Sequence, residues 1–342
     1  MESNFRIPIP ESDADFLAAT VRLKPPSSVV ESGSNQPIVI ICHGIKAHKN
    51  NPSLLSLLAD NLPVSSLRFD FRGSGDSSGS VLTMLDYYRC LHDLSVVYDW
   101  LSARNWRISC IIGHSMGEQH HNTRNMVGLL YALHNPTRVP LFVNISGRFD
   151  MLNGLSQKCI RDGVFSQQVI DEALSKWRCR EAVLPETVTG GGDNGLEVAV
   201  NGWWGGATDL NGNRLKGRVV KYSVSLDRAF SMWARIDNEL ANISLLPQSL
   251  QTLTVHGTLD EIVPVADATS FANVLPSHTL VLIQNGNHNL NSKIDLPVSL
   301  DDKDNDANNI AAQTTKATTH AQIACDIIVK WVVDRGINSS KI

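Results

Sequence analysis

The sequence predicts an α/β domain: a mainly parallel, doubly wound sheet with helices on both faces. Apolar runs of strand length, such as Pro37 to Cys42, Ile108 to Ile112 and Leu141 to Ile145, alternate with segments whose apolar residues fall at helical spacing. Pro37 to Cys42 is continuously apolar, as in a strand covered on both faces, rather than alternating like a strand with one wet face. The alternation recurs along the chain, which implies repeated β-α-β crossovers.

The first element is a strand over Phe16 to Leu23, ended by Pro25-Pro26 and a polar turn. Pro37 to Cys42 is the first strong core strand. Behind Pro52-Ser53, Leu54, Leu55, Leu57, Leu58 and Leu62 form a helical stripe. Ser66 to Phe69 is the next strand, and Met84 to Arg104 a helix carrying Leu85, Tyr88, Leu91, Leu94, Val97, Trp100 and Leu101 on one face. The remaining core elements are strands at 108–112, 141–145, 250–255 and 279–283, and helices at 126–133, 265–274 and 323–333. Two stretches interrupt the pattern. Residues 150–247, with Trp177, Trp203, Trp204 and Trp233 among Gly-rich turns, stand between two core strands where a lid belongs. Residues 291–319 are polar and read as a loop insertion. The expected organisation is one domain over 1–342, with its core at about 14–149 and 248–334.

With 42% hydrophobic and 19% charged residues, the 342-residue chain can bury a sizeable core and is unlike a disordered or fibrous protein. A net charge of −4, with Lys and Arg scattered, gives no footprint for nucleic acid. No stretch reaches the roughly 18 apolar residues of a membrane span, and Met1 to Pro10 lacks a secretory apolar run. The six cysteines form no C-x-x-C pair, and Cys42 and Cys110 sit within strand-like runs. Core thiols in a cytoplasmic protein are therefore expected.

Gly113-His114-Ser115-Met116-Gly117 fits G-x-S-x-G and follows the strand at 108–112 directly. Small residues flanking Ser115 permit the tight strand-to-helix turn that exposes a nucleophilic hydroxyl. A serine hydroxyl needs a neighbouring base, and the base needs a group to orient it. After the strand ending Val255-His256-Gly257 comes Thr258-Leu259-Asp260-Glu261, and after Leu280 to Ile283 comes Asn285-Gly286-Asn287-His288. Asp260 and His288 thus both follow Ser115 in the chain, each beyond a later strand end. Separately, Asp260 could cap the helix at 265 and His288 could be an ordinary loop residue. Three such residues on three strand ends favour a catalytic set.

The text around these residues resembles the α/β-hydrolase superfamily, in particular its intracellular esterase-like branch of cinnamoyl and feruloyl esterases and serine aminopeptidase-like hydrolases. The resemblance rests on His43-Gly44 with Lys49, Leu67 to Ser77 including Asp70-Phe71-Arg72-Gly73-Ser74-Gly75, Gly113 to Gly117, Asn144 to Asp150, and Thr254 to Pro264. It covers roughly 36–150 and 250–290. It implies an α/β-hydrolase fold with a lid insertion and ester hydrolysis through an acyl-enzyme on Ser115. It also implies a small-molecule ester substrate, no cofactor, and an oxyanion hole formed by the backbone N–H groups of Ile45 and Met116.

One feature departs from that pattern: Glu118 to Arg124 stand between the motif and the helix near Asn125-Met126. An outward loop would leave the turn intact, whereas a displaced Ser115 would leave a hydrolase-like binding protein with little turnover. His120-His121 has no adjacent carboxylate or thiol partner, and Asp301 to Asp306 has Ala307 where a calcium loop needs Gly, so no metal site is expected. Gly190 to Gly195 matches G-x-G-x-x-G but has neither a preceding strand nor a following helix, so no dinucleotide is expected.

Overall fold

The computed structural model describes residues 1–25, 35–44, 47–50, 54–79, 87–114, 125–161, 166–181, 195–200, 220–292 and 319–337. In chain order these hold β1 (Glu2–Pro8), β2 (Phe16–Arg22), β3 (Gln36–Cys42), α1 (Leu54–Asn61), β4 (Ser65–Phe69), α2 (Tyr87–Ser102), β5 (Trp106–His114), α3 (Asn125–His134) and β6 (Leu141–Ile145). There follow α4 (Leu152–Arg161), α5 (Gln167–Glu181), β7 (Gly195–Val200), β8 (Val220–Ser225), α6 (Leu226–Leu240), β9 (Gln251–Gly257), α7 (Val265–Val274), β10 (His278–Ile283) and α8 (His320–Asp334).

The main sheet has eight strands in the order β1-β2-β4-β3-β5-β6-β9-β10. β1 pairs antiparallel with β2, and β2 with β4; from β4 onward every neighbouring pair is parallel. The strands expected from the sequence all pair in this sheet. β1 is an addition, because the sequence reading names no element before Phe16. Its outward side is wet, and among its residues only Ile7 is buried, so the apolar signal that marks the other strands is missing.

Period-2 geometry sorts each central strand between two cores. In β3, Ile38, Ile40 and Cys42 face a core completed by α2 and α3, while Val39 and Ile41 face one completed by α1 and α8. Fully burying one such aliphatic side chain contributes roughly 1.5–3 kcal/mol. β5 breaks the alternation: its register against β3 slips between Ile38 and Val39, where Ser109 is the unpaired residue and donates to the Ile38 carbonyl at 3.2 Å. Ile108 and Ile111 consequently share one face although three positions apart. The bulge thereby re-aims the end of β5, which leads directly into Ser115.

Between β6 and β9 the chain leaves the main sheet. β7 and β8 form a separate two-stranded antiparallel sheet. α6 packs Phe230, Trp233, Ile236 and Leu240 into the first core. Asp237 on α6 accepts the backbone N–H groups of Met151 and Leu152 at 2.7 and 2.8 Å, which ties α6 to the start of α4. These elements lie within residues 150–247, for which the sequence predicts a lid and no individual helices or strands. Most of the polar stretch 291–319, including Asp301 to Asp306, lies outside the described residues. Among the described residues no helix is long and apolar enough to cross a membrane.

Close packing of α3 on the sheet depends on Gly128: a Cβ there would lie 2.5 Å from Phe142 Cε2 and 3.1 Å from Ile111 Cγ2. Gly128→Ala should therefore destabilise the fold by about 1–3 kcal/mol through overpacking, despite the better helix propensity of alanine. Urea unfolding checks this, and a midpoint at or above that of the unaltered chain would contradict it.

Candidate active site

The parallel strands leave the sheet at one edge, so the ends of β3, β5, β6, β9 and β10 gather there. Two of the loops that follow them are joined by backbone contact. Thr258 and Leu259 donate their N–H groups to Ile283 and Gly286 carbonyls, each at 2.9 Å, and Asn285 N–H donates to Thr258 Oγ at 2.8 Å. The approach is close enough that a Cβ on Gly257 would collide with the Gly286 carbonyl, so this position requires glycine for space. Asn285 completes the turn with φ of 58°, a left-handed conformation that asparagine tolerates.

The join carries Asp260 against His288. Nδ1 of His288 lies 2.9 Å from Asp260 Oδ1 and 2.8 Å from Oδ2. Both neighbours are carboxylate oxygens, so Nδ1 carries the ring proton and donates it. The His288 backbone is held as well: its N–H donates to Glu261 Oε2 at 3.1 Å, and its carbonyl accepts from Ser146 Oγ at 2.9 Å. Glu261 therefore secures the backbone of His288 and Asp260 its ring. Nε2 of His288 is buried without a hydrogen-bond partner among the described residues.

Asp260 is itself buried, which works against its charge. The hydrogen bonds from His256 and His288, together with the Val263 N–H, outweigh that penalty and hold its carboxyl well below the ordinary carboxylate range. Oδ1 also accepts from Ile262 N–H at 2.8 Å and Val263 N–H at 2.7 Å. Beneath this loop lies Arg148, buried, donating to the Ile262 carbonyl at 2.6 Å. His114, the last residue of β5, is fully buried with neither ring nitrogen partnered among the described residues, and its ring stacks 6.2 Å from that of His288. Burial, then the proximity of His288, pushes its pKa down to about 3.

Ser115, Ile45 and Met116, and the extra residues Glu118 to Arg124, lie outside the described residues. Their chain neighbours are placed. Gly44 carbonyl accepts from Ala47 N–H at 3.4 Å, bracketing Ile45. Beyond it, Lys49 N–H and Nζ reach Asp70 Oδ1 and Oδ2 at 2.6 and 2.7 Å, and Nζ also reaches Asp76 at 2.5 Å. Burial opposes the Lys49 charge, but Asp70 and Asp76 prevail and raise its pKa. Asp70 also accepts the Asp76 N–H at 2.9 Å, so the β3 and β4 exits are clamped together. The Asp70 to Gly75 stretch quoted for the family resemblance is thus a buried clamp. Among the described residues no group of His, Cys, Asp and Glu could hold a metal ion.

Sequence reasoning missed His256, Ser146, Arg148 and His114. Each stands in a stretch that carries the family resemblance, His114 in Gly113 to Gly117, Ser146 and Arg148 in Asn144 to Asp150 and His256 in Thr254 to Pro264, but no pattern there marks these residues individually. Two outcomes follow from this geometry. Gly257→Ala should force the β9 and β10 exits apart, lowering stability by about 2 kcal/mol or more and weakening the low-field proton resonance of a His288 Nδ1–H bound to carboxylate; an unchanged spectrum would contradict it. His114 bears on acid stability. Its folded pKa lies below its unfolded value of about 6.5, so it has no effect above that pH. Below it, only the unfolded chain takes up the proton, and about 2 kcal/mol should be lost by pH 5. His114→Phe should flatten the fall in unfolding free energy between pH 7 and 5, as measured by urea titration; an equally steep fall would contradict this.

No family model matches the sequence. The uncharacterized protein YDL057W of Saccharomyces cerevisiae is 27% identical over 268 residues, spanning 74% of this chain and 68% of that protein. Among solved structures, Est1E of Butyrivibrio proteoclasticus with ferulic acid bound superposes with a TM-score of 0.55 at 15% identity, covering 96% of this chain and 98% of that one. A monoacylglycerol lipase of Paleococcus ferrophilus gives a TM-score of 0.53 at 14% identity, covering 89% and 97%. The strand order, the crossovers and these superpositions agree: the chain has the α/β-hydrolase fold.

Proposed function

We propose that the chain is a serine hydrolase that cleaves small carboxylic esters, with Ser115 as nucleophile, His288 as base and Asp260 orienting His288. The observation that carries this reading is the Asp260–His288 pair. The carboxylate fixes the tautomer of the imidazole and leaves Nε2 buried and unpartnered, beside the residue that precedes Ser115 in the chain. An imidazole held in that way is a base waiting for a proton donor. Solved structures of similar fold, Est1E with ferulic acid bound and a monoacylglycerol lipase, support ester substrates.

In this reading Ser115 Oγ attacks the ester carbonyl carbon as its proton passes to His288 Nε2. Asp260 stabilises the resulting imidazolium, and the oxyanion is held by the N–H groups of Ile45 and Met116, each such donor contributing roughly 3–4 kcal/mol. His288 then returns the proton to the leaving alkoxide as the C–O bond breaks, giving an acyl-enzyme. Water, deprotonated by His288, releases the acid and regenerates Ser115. Every proton moves between Ser115, His288, substrate and water, so the route calls for no cofactor. We assign residues 150–247 as the lid, because they begin beyond the β6 exit and end before β9, whose exit bears Asp260.

A fluorophosphonate probe should label the chain at Ser115, and Ser115→Ala should abolish labelling and lower ester hydrolysis by several orders of magnitude. Asp260→Asn should lower kcat by about 10⁴-fold, because it leaves the imidazole in the wrong tautomer. Labelling that survives Ser115→Ala, or hydrolysis undiminished in either variant, would overturn the assignment. A chain that binds esters without labelling would instead be a binding protein on a hydrolase fold.

A further inference from the structure

Asp260 has a second imidazole. His256, the penultimate residue of β9, is wholly buried, and its Nε2 lies 3.2 Å from Asp260 Oδ2 and 3.0 Å from the Val263 carbonyl. Both neighbours can only accept, so Nε2 carries the proton and donates it between them. Nδ1 is left a bare lone pair, buried and without a partner among the described residues. Leaving a buried polar atom unpaired costs roughly 1–3 kcal/mol, so packing alone gives no reason for a histidine where an apolar side chain would fill the space.

We propose that His256 is a positioning residue for Asp260: its Nε2–H is the donor that completes the carboxylate, fixing Oδ2 against His288 Nδ1. This rests on the reading of His288 as the base. The N–H groups of Ile262, Val263, His288 and His256 occupy the sites that a carboxylate offers. Asp260 so bound can neither rotate away from His288 nor take its proton. The arrangement also shares the carboxylate charge between two rings, which tempers its pull on the His288 proton. The charged and titratable groups around Asp260 are His256 on β9, His288 after β10, His114 on β5, Arg148 after β6, Glu261 in the same loop and Asp267 on α7.

Removing the donor frees Asp260 to rotate away from His288, and where the two still meet it leaves a more basic carboxylate that raises the basicity of the imidazole. His256→Leu should therefore lower kcat for a nitrophenyl ester about 10- to 100-fold, with KM within about twofold, and move the acid limb of the kcat profile to higher pH. His256→Gln, which keeps an N–H at a similar reach, should recover kcat to within about threefold of the unaltered chain. In the unaltered chain, nitrogen NMR of labelled histidine should show His256 as the Nε2–H tautomer, a readout that needs no variant to fold. An Nδ1–H tautomer, a His256→Leu variant with unchanged kcat and acid limb, or a His256→Gln variant as impaired as His256→Leu would each overturn the proposal. An unaltered chain that fluorophosphonate does not label overturns the Ser115 reading instead, whereas labelling with an indifferent His256→Leu overturns only the role of His256.

Discussion

The site depends on one buried carboxylate. Asp260 carries a negative charge in a place that excludes water, and a bare charge there would be prohibitively unstable. What keeps it ionised is a set of N–H groups from its own loop, from His256 and from His288. The same contacts define the positions of the donors. A charge that must be satisfied thus becomes a constraint that holds the β9 exit, the β10 exit and the ring of His288 in one arrangement. The glycines at 257 and 286 permit the backbones to come that close.

A second buried charge organises the neighbouring part of the sheet edge. Asp70 is fully buried and is met by Lys49 through both its N–H and its Nζ, with the Asp76 N–H closing the β4 exit over it. Ser77 Oγ, which donates to the Asp70 carbonyl and accepts from Ala18 N–H at 2.8 Å, links the clamp to β2. The two clusters stand on the exits of β3 and β4 and of β9 and β10, flanking the β5 exit that leads to Ser115. Breaking one partner of such a pair is costly because the other is left buried and uncompensated. Both clusters therefore resist the loop motion that would blur a site on this edge.

Much of the fold was legible in the sequence, and the reason is local. β3, β5 and β6 are buried on both faces, so Pro37 to Cys42 announces itself as an unbroken apolar run, and Ile108 to Ile112 and Leu141 to Ile145 as runs interrupted only by Ser109 and Asn144. α7 and α8 carry their apolar stripes between recognisable ends, Pro264 before one and Thr319 capping the other by accepting the Gln322 N–H. β1 was not legible, because a strand that buries little more than Ile7 has no such run. Nor were α4, α5 and α6 as separate helices: their polar faces and Gly-rich surroundings dilute the periodicity, and the partners that stabilise them, such as Asp237 for the start of α4, are remote in sequence.

The placing of Ser115, Asp260 and His288 just beyond apolar runs was legible in the sequence, because strand ends show in the apolar pattern and the chemistry calls for those residue types. The sequence names Asp260 by its place beyond the strand end, with Glu261 adjacent and alike in charge. Tertiary structure separates the contacts of the two: the turn after Gly257 brings Asp260 to the ring of His288 and Glu261 to its backbone. It also decided the part played by His256, Arg148 and His114, whose contacts run between strand ends or across a turn and leave no periodic trace. Period and composition report which faces are buried; they carry no information on which two buried polar groups will meet, because that is set by the register of a parallel sheet and the reach of its loops.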